Sequence, residues 1–170
     1  HRIATLGEAI PRGAALSLSG APLLAGLIAA RRTAPLLIGP DAESRQWIEA
    51  AAAAHGFDFG VCRKERHGDR EVDIVLPEVA VSGRAVVLLD DVASSGHTLA
   101  RAARLLLAAG AASVDVAVTH ALFAGDALDL LRAAGVGEVW SGDCIPHPSN
   151  AVSVAPLLAG ALAGLGVGAG

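Results

Sequence analysis

Five residues, Ala85 to Leu89, read AVVLL, and the next two are Asp90 and Asp91. No side chain in the run carries a polar atom, so the segment has no face to offer to water. A strand of that kind must be covered on both sides, as parallel sheets flanked by helices are. The same punctuation recurs along the chain. APLLIGP (34–40) reads as a buried strand closed by Gly39-Pro40, and Asp41 to Ala54 as a helix with Trp47, Ile48 and alanines on its apolar side. FDFGVC (57–62) and EVDIVL (71–76) alternate as strands, and RKERHGDR (63–70) between them reads as a polar loop. His97 to Ala109 is a helix with Leu99, Ala102, Ala103 and Leu106 on one face, stopped by Gly110. VDVAV (114–118), a helix over 126–134 and EVW (138–140) complete the series. Helices between buried strands predict an α/β fold: a doubly wound, mostly parallel sheet in a Rossmann-like three-layer arrangement.

The 170 residues are enough to bury one core, and a net charge of −4 without any basic stripe excludes a nucleic-acid footprint. The tail from Ala155 to Gly170 is uncharged and apolar, but it is too short to span a bilayer and five glycines break it. It reads as a terminal helix packing on protein, with no membrane as partner. Cys62 and Cys144 lie far apart and match neither a zinc pattern nor a disulfide scaffold, which points to reduced core thiols in a cytoplasmic protein. With histidine at residue 1, no methionine anywhere and no signal peptide, the expectation is a segment of something longer.

Two adjacent carboxylates at a strand tip repel each other unless they face water, a metal or a hydroxyl-rich ligand. In an open α/β sheet ligands bind beyond the carboxyl ends of the strands. After Asp90 and Asp91 the chain runs through Ala93, Ser94, Ser95, Gly96, His97 and Thr98 into a helix. Free N–H groups and the helix dipole make such a start a seat for phosphate, the hydroxyls add donors, and Gly96 lets the backbone close around an anion. Ionised carboxylates only accept, so they suit ribose hydroxyls or a magnesium ion. The competing expectation is a plain capping turn, with Ser94 or Ser95 as N-cap and the aspartates merely solvated.

VVLLDDVASSGHT (86–98) resembles the phosphoribosyl pyrophosphate (PRPP) motif of type I phosphoribosyltransferases and ribose-phosphate pyrophosphokinases. It departs from that pattern at Ser94, commonly an acid, at Ser95, commonly threonine, and at His97, commonly glycine. Other stretches are similar to the pyrophosphokinases in particular. IGPDAESRQW (38–47) resembles their strand-end Pro-Asp, which makes Asp41 a magnesium contact. CRKERHGDREV (62–72) resembles their mobile catalytic loop, with Lys64 and Arg66 embracing the transferring group. TLGEAIPRGAALSLSGAPLLAGLI (5–28) resembles the stretch after their Asp-x-His metal motif, which puts His1 in the histidine's place. SVAPLLAGAL (153–162) resembles their C-terminal segment. Lys64 is the single lysine among thirteen Lys and Arg residues, and its compact ammonium suits a moving phosphoryl group.

The resemblance implies ribose-phosphate pyrophosphokinase chemistry, in which ATP and ribose 5-phosphate give AMP and PRPP. It implies that Ser94, Ser95, Gly96, His97 and Thr98 hold the 5-phosphate, and that Asp90 and Asp91 hold the ribose hydroxyls directly or through Mg2+. Lys64 and Arg66 would close over the transition state, while His1 and Asp41 help hold Mg·ATP. Residues 1–152 would form a phosphoribosyltransferase-like C-terminal domain, with 153–170 packing on an N-terminal half that this segment lacks. A homo-oligomer is implied, and no turnover by the isolated segment. Two alternatives stay open: a non-catalytic regulatory or sensor subunit with the same pocket, and a phosphoribosyltransferase, for which no base-recognition hood is visible. His55, His120 and His147 read as surface or core residues, with His120 at a strand end.

Overall fold

The computed structural model describes residues 16–67 and 71–165. Its centre is a six-stranded sheet, every neighbouring pair parallel, in the order β2-β1-β5-β6-β7-β8. The strands are β1 (Leu36–Gly39), β2 (Asp58–Val61), β5 (Ala85–Ala93), β6 (Ser113–Ala121), β7 (Val139–Gly142) and β8 (Asn150–Val152). Between them run helices α1 (Ala21–Arg31), α2 (Arg45–His55), α3 (His97–Ala108), α4 (Ala127–Ala133) and α5 (Ala155–Gly164). A separate antiparallel ribbon pairs β3 (Arg63–His67) with β4 (Glu71–Val75).

Two cores result, one on each face of the sheet. Val86, Leu88, Val116 and Val118 meet α3 and α4, through Leu99, Ala102, Ala103, Leu106 and Leu131. Val87, Leu89 and Ala117 meet α1 and α2, through Leu24, Ile28, Ile48 and Ala51. The apolar face assigned to α3 is therefore its buried face, and the doubly wound α/β sheet expected from the sequence is the one observed. Burying Val86 to Leu89 completely removes their apolar side chains from water on both faces, each worth roughly 1.5–3 kcal/mol.

Three local expectations need correction. The polar stretch 63–70 is not simply a loop: Arg63–His67 forms β3, whose charged residues lie opposite Val75 to Glu71. A run of charged residues hides a strand from a reading based on apolar periodicity. β5 does not stop at Leu89 but runs on to Ala93, so the acid pair lies inside the last part of the strand. Cys62 is buried, but Cys144 is exposed and is no core thiol. The short β8 carries no sequence signal of its own and forms by pairing with β7. Among the described residues no helix is long and apolar enough to cross a membrane.

Candidate functional site

At the carboxyl end of β5 a cavity of about 470 Å3 opens between two chain segments. One wall is Asp90 to Leu99; the other is Asp41, Glu43, Gln46 and Trp47, from the turn after β1 and the start of α2. The adjacency follows from the sheet, since β1 and β5 are parallel neighbours with Ile38 opposite Leu88. Both strand ends therefore deliver their loops to one place.

The β5 loop reaches α3 without a side-chain cap. Gly96 is the N-cap residue, left-handed at φ +74°, and no side chain caps the helix. The capping-turn expectation for Ser94 or Ser95 thus fails, and both serines are exposed on the cavity wall. Helix N-termini leave their first N–H groups without intrahelical partners. Beneath the loop, a Cβ on Gly96 would stand 3.3 Å from the carbonyl oxygen of Ala127, so the turn needs glycine for both space and backbone.

The acid pair is partly tied down by its own backbone. Asp91 N–H donates to Asp90 Oδ1 (3.0 Å), and Val92 N–H donates to Asp91 Oδ1 (2.8 Å). Burial drives the Asp90 carboxyl up to about 7; the Asp91 N–H works against this, and the charges of Asp91 and Asp41 add to it. A carboxyl held there gains a cation or a hydroxyl donor with unusual benefit, because either relieves a desolvated charge.

Asp41 caps the short 3-10 turn Ala42–Ser44 by accepting from Glu43 N–H (3.1 Å). Gly39 permits this tight turn, since a Cβ there would fall 2.2 Å from Ser44 Oγ. The other carboxylate oxygen of Asp41 accepts from Lys64 Nζ at 2.7 Å. Lys64 comes from β3, so the ribbon is fastened to the cavity through its single ammonium. On the ribbon's second strand, Asp73 pairs with Arg101 of α3. Beside β3, burial and the charge of Asp41 raise the Cys62 thiol to about 11, which keeps it unreactive.

Of the residues singled out in the sequence, Asp41, Asp90, Asp91, Ser94, Ser95, Gly96, His97 and Thr98 all line the cavity, and Lys64 bonds to its wall. Arg66 takes its place on β3 opposite Val72. His1 lies outside the described residues. Glu43 and Gln46 also line the cavity, as does Trp47, which packs against the core as its place on the apolar side of the helix implied and adds a wall to the cavity besides. A smaller cavity of about 100 Å3 adjoins the acid pair, walled by Gly20, Trp47, Thr119 and His120 among others.

A phosphoribosyl transferase domain is matched over residues 10–139. The chain belongs to that family. Within it, the chain is similar to the ribose-phosphate pyrophosphokinase of Methanopyrus kandleri, with 38% identity over 76% of this chain and 45% of the relative. The enzyme of the same name from Methanosarcina mazei is 36% identical over 76% of this chain and 44% of its own length. The chain thus spans about half the length of the curated relatives it matches. Among solved structures, phosphoribosylpyrophosphate synthetase from Mycobacterium smegmatis superposes with a TM-score of 0.71 at 27% identity, over 86% of this chain and 50% of that one. Adenine phosphoribosyl transferase from Trypanosoma brucei follows at 0.56 and 20% identity, over 70% and 62%, a likeness of fold only. The resemblance drawn from VVLLDDVASSGHT and the accompanying stretches therefore holds at the level of the phosphoribosyl transferase family and of its pyrophosphokinase members.

The donor set of this phosphoribosyl transferase domain fits magnesium. Mg2+ takes one or two carboxylates and completes its shell with water and substrate oxygens. Asp41, Asp90 and Asp91 are hard oxygen donors around one cavity, and the Lys64 ammonium already stands against Asp41 as a cation would. Among the described residues no three His, Cys, Asp or Glu converge, so a metal here would depend on oxygens brought by the substrate.

Proposed function

We propose that this chain carries the sugar-phosphate and diphosphoryl-transfer site of a ribose-phosphate pyrophosphokinase, which converts ATP and ribose 5-phosphate to AMP and PRPP. The observation that carries the reading is the 2.7 Å bond from Lys64 to Asp41 at a cavity otherwise walled by the acid pair and the 94–98 loop. Lys64, Asp41 and residues 90–98 come from three different segments, and the Lys64–Asp41 bond at the cavity wall supports bringing them to one substrate.

In this reading the N–H groups and hydroxyls of Ser94, Ser95, Gly96, His97 and Thr98 bind the 5-phosphate, and Asp90 and Asp91 hold the ribose hydroxyls directly or through Mg2+. The sugar's anomeric hydroxyl then faces the β-phosphorus of ATP, held in line for displacement of AMP. Lys64 and Arg66 close over the transferring group and offset the charge that grows on its oxygens. Such a transfer asks the protein chiefly for alignment and electrostatics, which together contribute most of the rate. Asp41, with His1, would hold magnesium, which when bound neutralises phosphate charge.

Residues 1–152 then act as the phosphoribosyltransferase-like domain, and α5 packs on a further part of the enzyme. The exposure of Leu158, Leu162 and Leu165 along one uncharged helix supports that packing. A homo-oligomeric assembly in the cytoplasm accords with the same reading.

The test separates binding from chemistry. Assayed together with the N-terminal half that this reading requires, Lys64→Ala should lower the rate of AMP release in a PRPP-forming assay by about 10²-fold or more, while ribose 5-phosphate binding by calorimetry changes less than about threefold. Equal damage to both would remove Lys64 from the transition state. Failure of ribose 5-phosphate to bind at all would remove the reading itself.

A further inference from the structure

Two peptide groups decide which way the donors of the 94–98 loop point. Phe123 N–H donates to the carbonyl of Ala93 (2.8 Å), and Ala124 N–H donates to the carbonyl of Ser94 (3.0 Å). A trans peptide carries its N–H opposite its C=O. Drawing both carbonyls toward residues 122–125 therefore turns the N–H groups of Ser94 and Ser95 the other way. Left unheld, either carbonyl could swing its negative end toward a bound anion.

The bracing turn is itself under strain. Phe123 sits at φ +35°, a conformation that costs a non-glycine residue roughly 1–3 kcal/mol. Something must hold it there. Phe123 is buried in the α3–α4 core, and its ring meets that of His147, with centroids 5.0 Å apart and a 38° tilt.

His147 in turn is held at its Nδ1 and at its own N–H. Ser149 N–H donates to His147 Nδ1 (3.2 Å), which fixes that nitrogen as an acceptor, and Ser149 Oγ donates to it at 2.7 Å. Ser141 Oγ then donates to Ser149 Oγ (2.8 Å), and Asn150 Nδ2 donates to Ser141 Oγ (2.9 Å). His147 N–H closes the ring of contacts on Asn150 Oδ1 (2.8 Å). The donors all run one way, from Asn150 on β8 through β7 to the imidazole. None of these residues lines the cavity.

We propose that Phe123 and His147 are positioning residues for the phosphate cradle. The relay fixes His147, His147 holds Phe123 in its strained turn, and the turn aims the Ser94 and Ser95 N–H groups at the anion. This rests on the reading of residues 94–98 as a phosphate seat. The β7–β8 edge thereby orients a site that it does not touch.

The test uses the 15N-labelled chain, titrated separately with inorganic phosphate, ribose 5-phosphate and ribose. His147→Ala and Phe123→Leu should each weaken inorganic phosphate and ribose 5-phosphate binding by about tenfold, the scale of one lost hydrogen bond to a charged group. The amide shifts of Ser94 and Ser95 on phosphate addition should shrink with it. Ser149→Ala keeps the ring pair and loses only the relay, so it should weaken phosphate binding about threefold; it carries the test if the other two variants unfold. Leu131→Ala, a core truncation away from the relay, should lower stability and leave phosphate affinity unchanged. Folded variants that bind phosphate as the parent does would overturn the proposal while the phosphate seat stands. A parent chain whose 94–98 amides ignore phosphate would overturn both.

Discussion

Lys64 Nζ donates to Asp41 Oδ2 across 2.7 Å, joining a two-stranded ribbon to the turn that follows β1. The two residues lie in different elements, and the lysine side chain is 44% exposed. An exposed pair of that kind contributes about 0.2–1 kcal/mol, so it is a weak competitor for the carboxylate. Lys64→Gln should therefore tighten Mg2+ binding by about 1.5- to 5-fold in a calorimetric titration. Unchanged or weaker binding would separate Asp41 from the metal.

Asp90 gives the site a pH dependence with a definite sign. Its folded carboxyl titrates near 7 against an ordinary 3.8, because burial disfavours its charge. The folded state thus holds the proton more tightly than the unfolded chain. Its ionisation costs nothing below about pH 4, and stability falls as pH rises from there through about 7. Asp90→Asn removes this term. The variant should be more stable than the parent at about pH 8, with the difference fading toward about pH 4 in urea denaturation curves. A pH-independent difference would show that burial does not govern this carboxyl. Magnesium affinity of the parent should rise across the same interval, as the carboxylate forms.

The sheet was legible because Val86 to Leu89 can be nothing but a two-face-buried strand, and Leu99, Ala102, Ala103 and Leu106 keep the helical period. The cavity was legible for a related reason: strand ends in a parallel sheet gather their loops, so Asp41 and Asp90 had to meet. The ribbon was harder. Arg63 to His67 carry no apolar alternation, and their pairing comes from Val75 and Ile74 across the ladder. Phe123 was illegible for a deeper reason, since a positive φ at a bulky residue follows from tertiary contacts and not from local preference. His147 likewise gains its orientation from Ser149 in its own turn, which is held in place by Ser141 on β7, a contact no spacing rule supplies.

Gly96 is the sharpest probe of the phosphate loop. Its φ of +74° disfavours any side chain, and an added Cβ would press on the Ala127 carbonyl at 3.3 Å. Gly96→Ala should cost about 1–2 kcal/mol of stability and weaken ribose 5-phosphate binding roughly tenfold, since the loop must shift off α4. Gly83 shares the same φ but has nothing within 4 Å of the added atom. Gly83→Ala should cost about 1 kcal/mol without touching affinity. Equal affinity losses in both variants, measured by calorimetry, would show that strain rather than loop position matters.

At the opposite end of the sheet, stability rests on a buried charge. Asp115 faces Val87 near the start of β6 and is 1% exposed. Arg32 Nε donates to its Oδ2 (2.7 Å), Glu138 N–H donates to its Oδ1 (2.9 Å), and the guanidinium lies 5.1 Å from the centroid of Trp140. The bond to Asp115 outweighs desolvation and raises the Arg32 pKa. One carboxylate thus fastens the end of α1 to the starts of β6 and β7. Asp115→Ala leaves the N–H without its acceptor and the guanidinium without its counter-charge, so about 2–4 kcal/mol should be lost in urea denaturation. Asp115→Asn keeps one acceptor for Glu138 and should lose roughly half as much. Because the pair lies at the strand starts and the cavity at the strand ends, ribose 5-phosphate affinity should stay within about twofold. A large affinity loss in a folded Asp115→Asn would mean that the two ends of the sheet are coupled, and the site could then no longer be treated as fixed by its own loops.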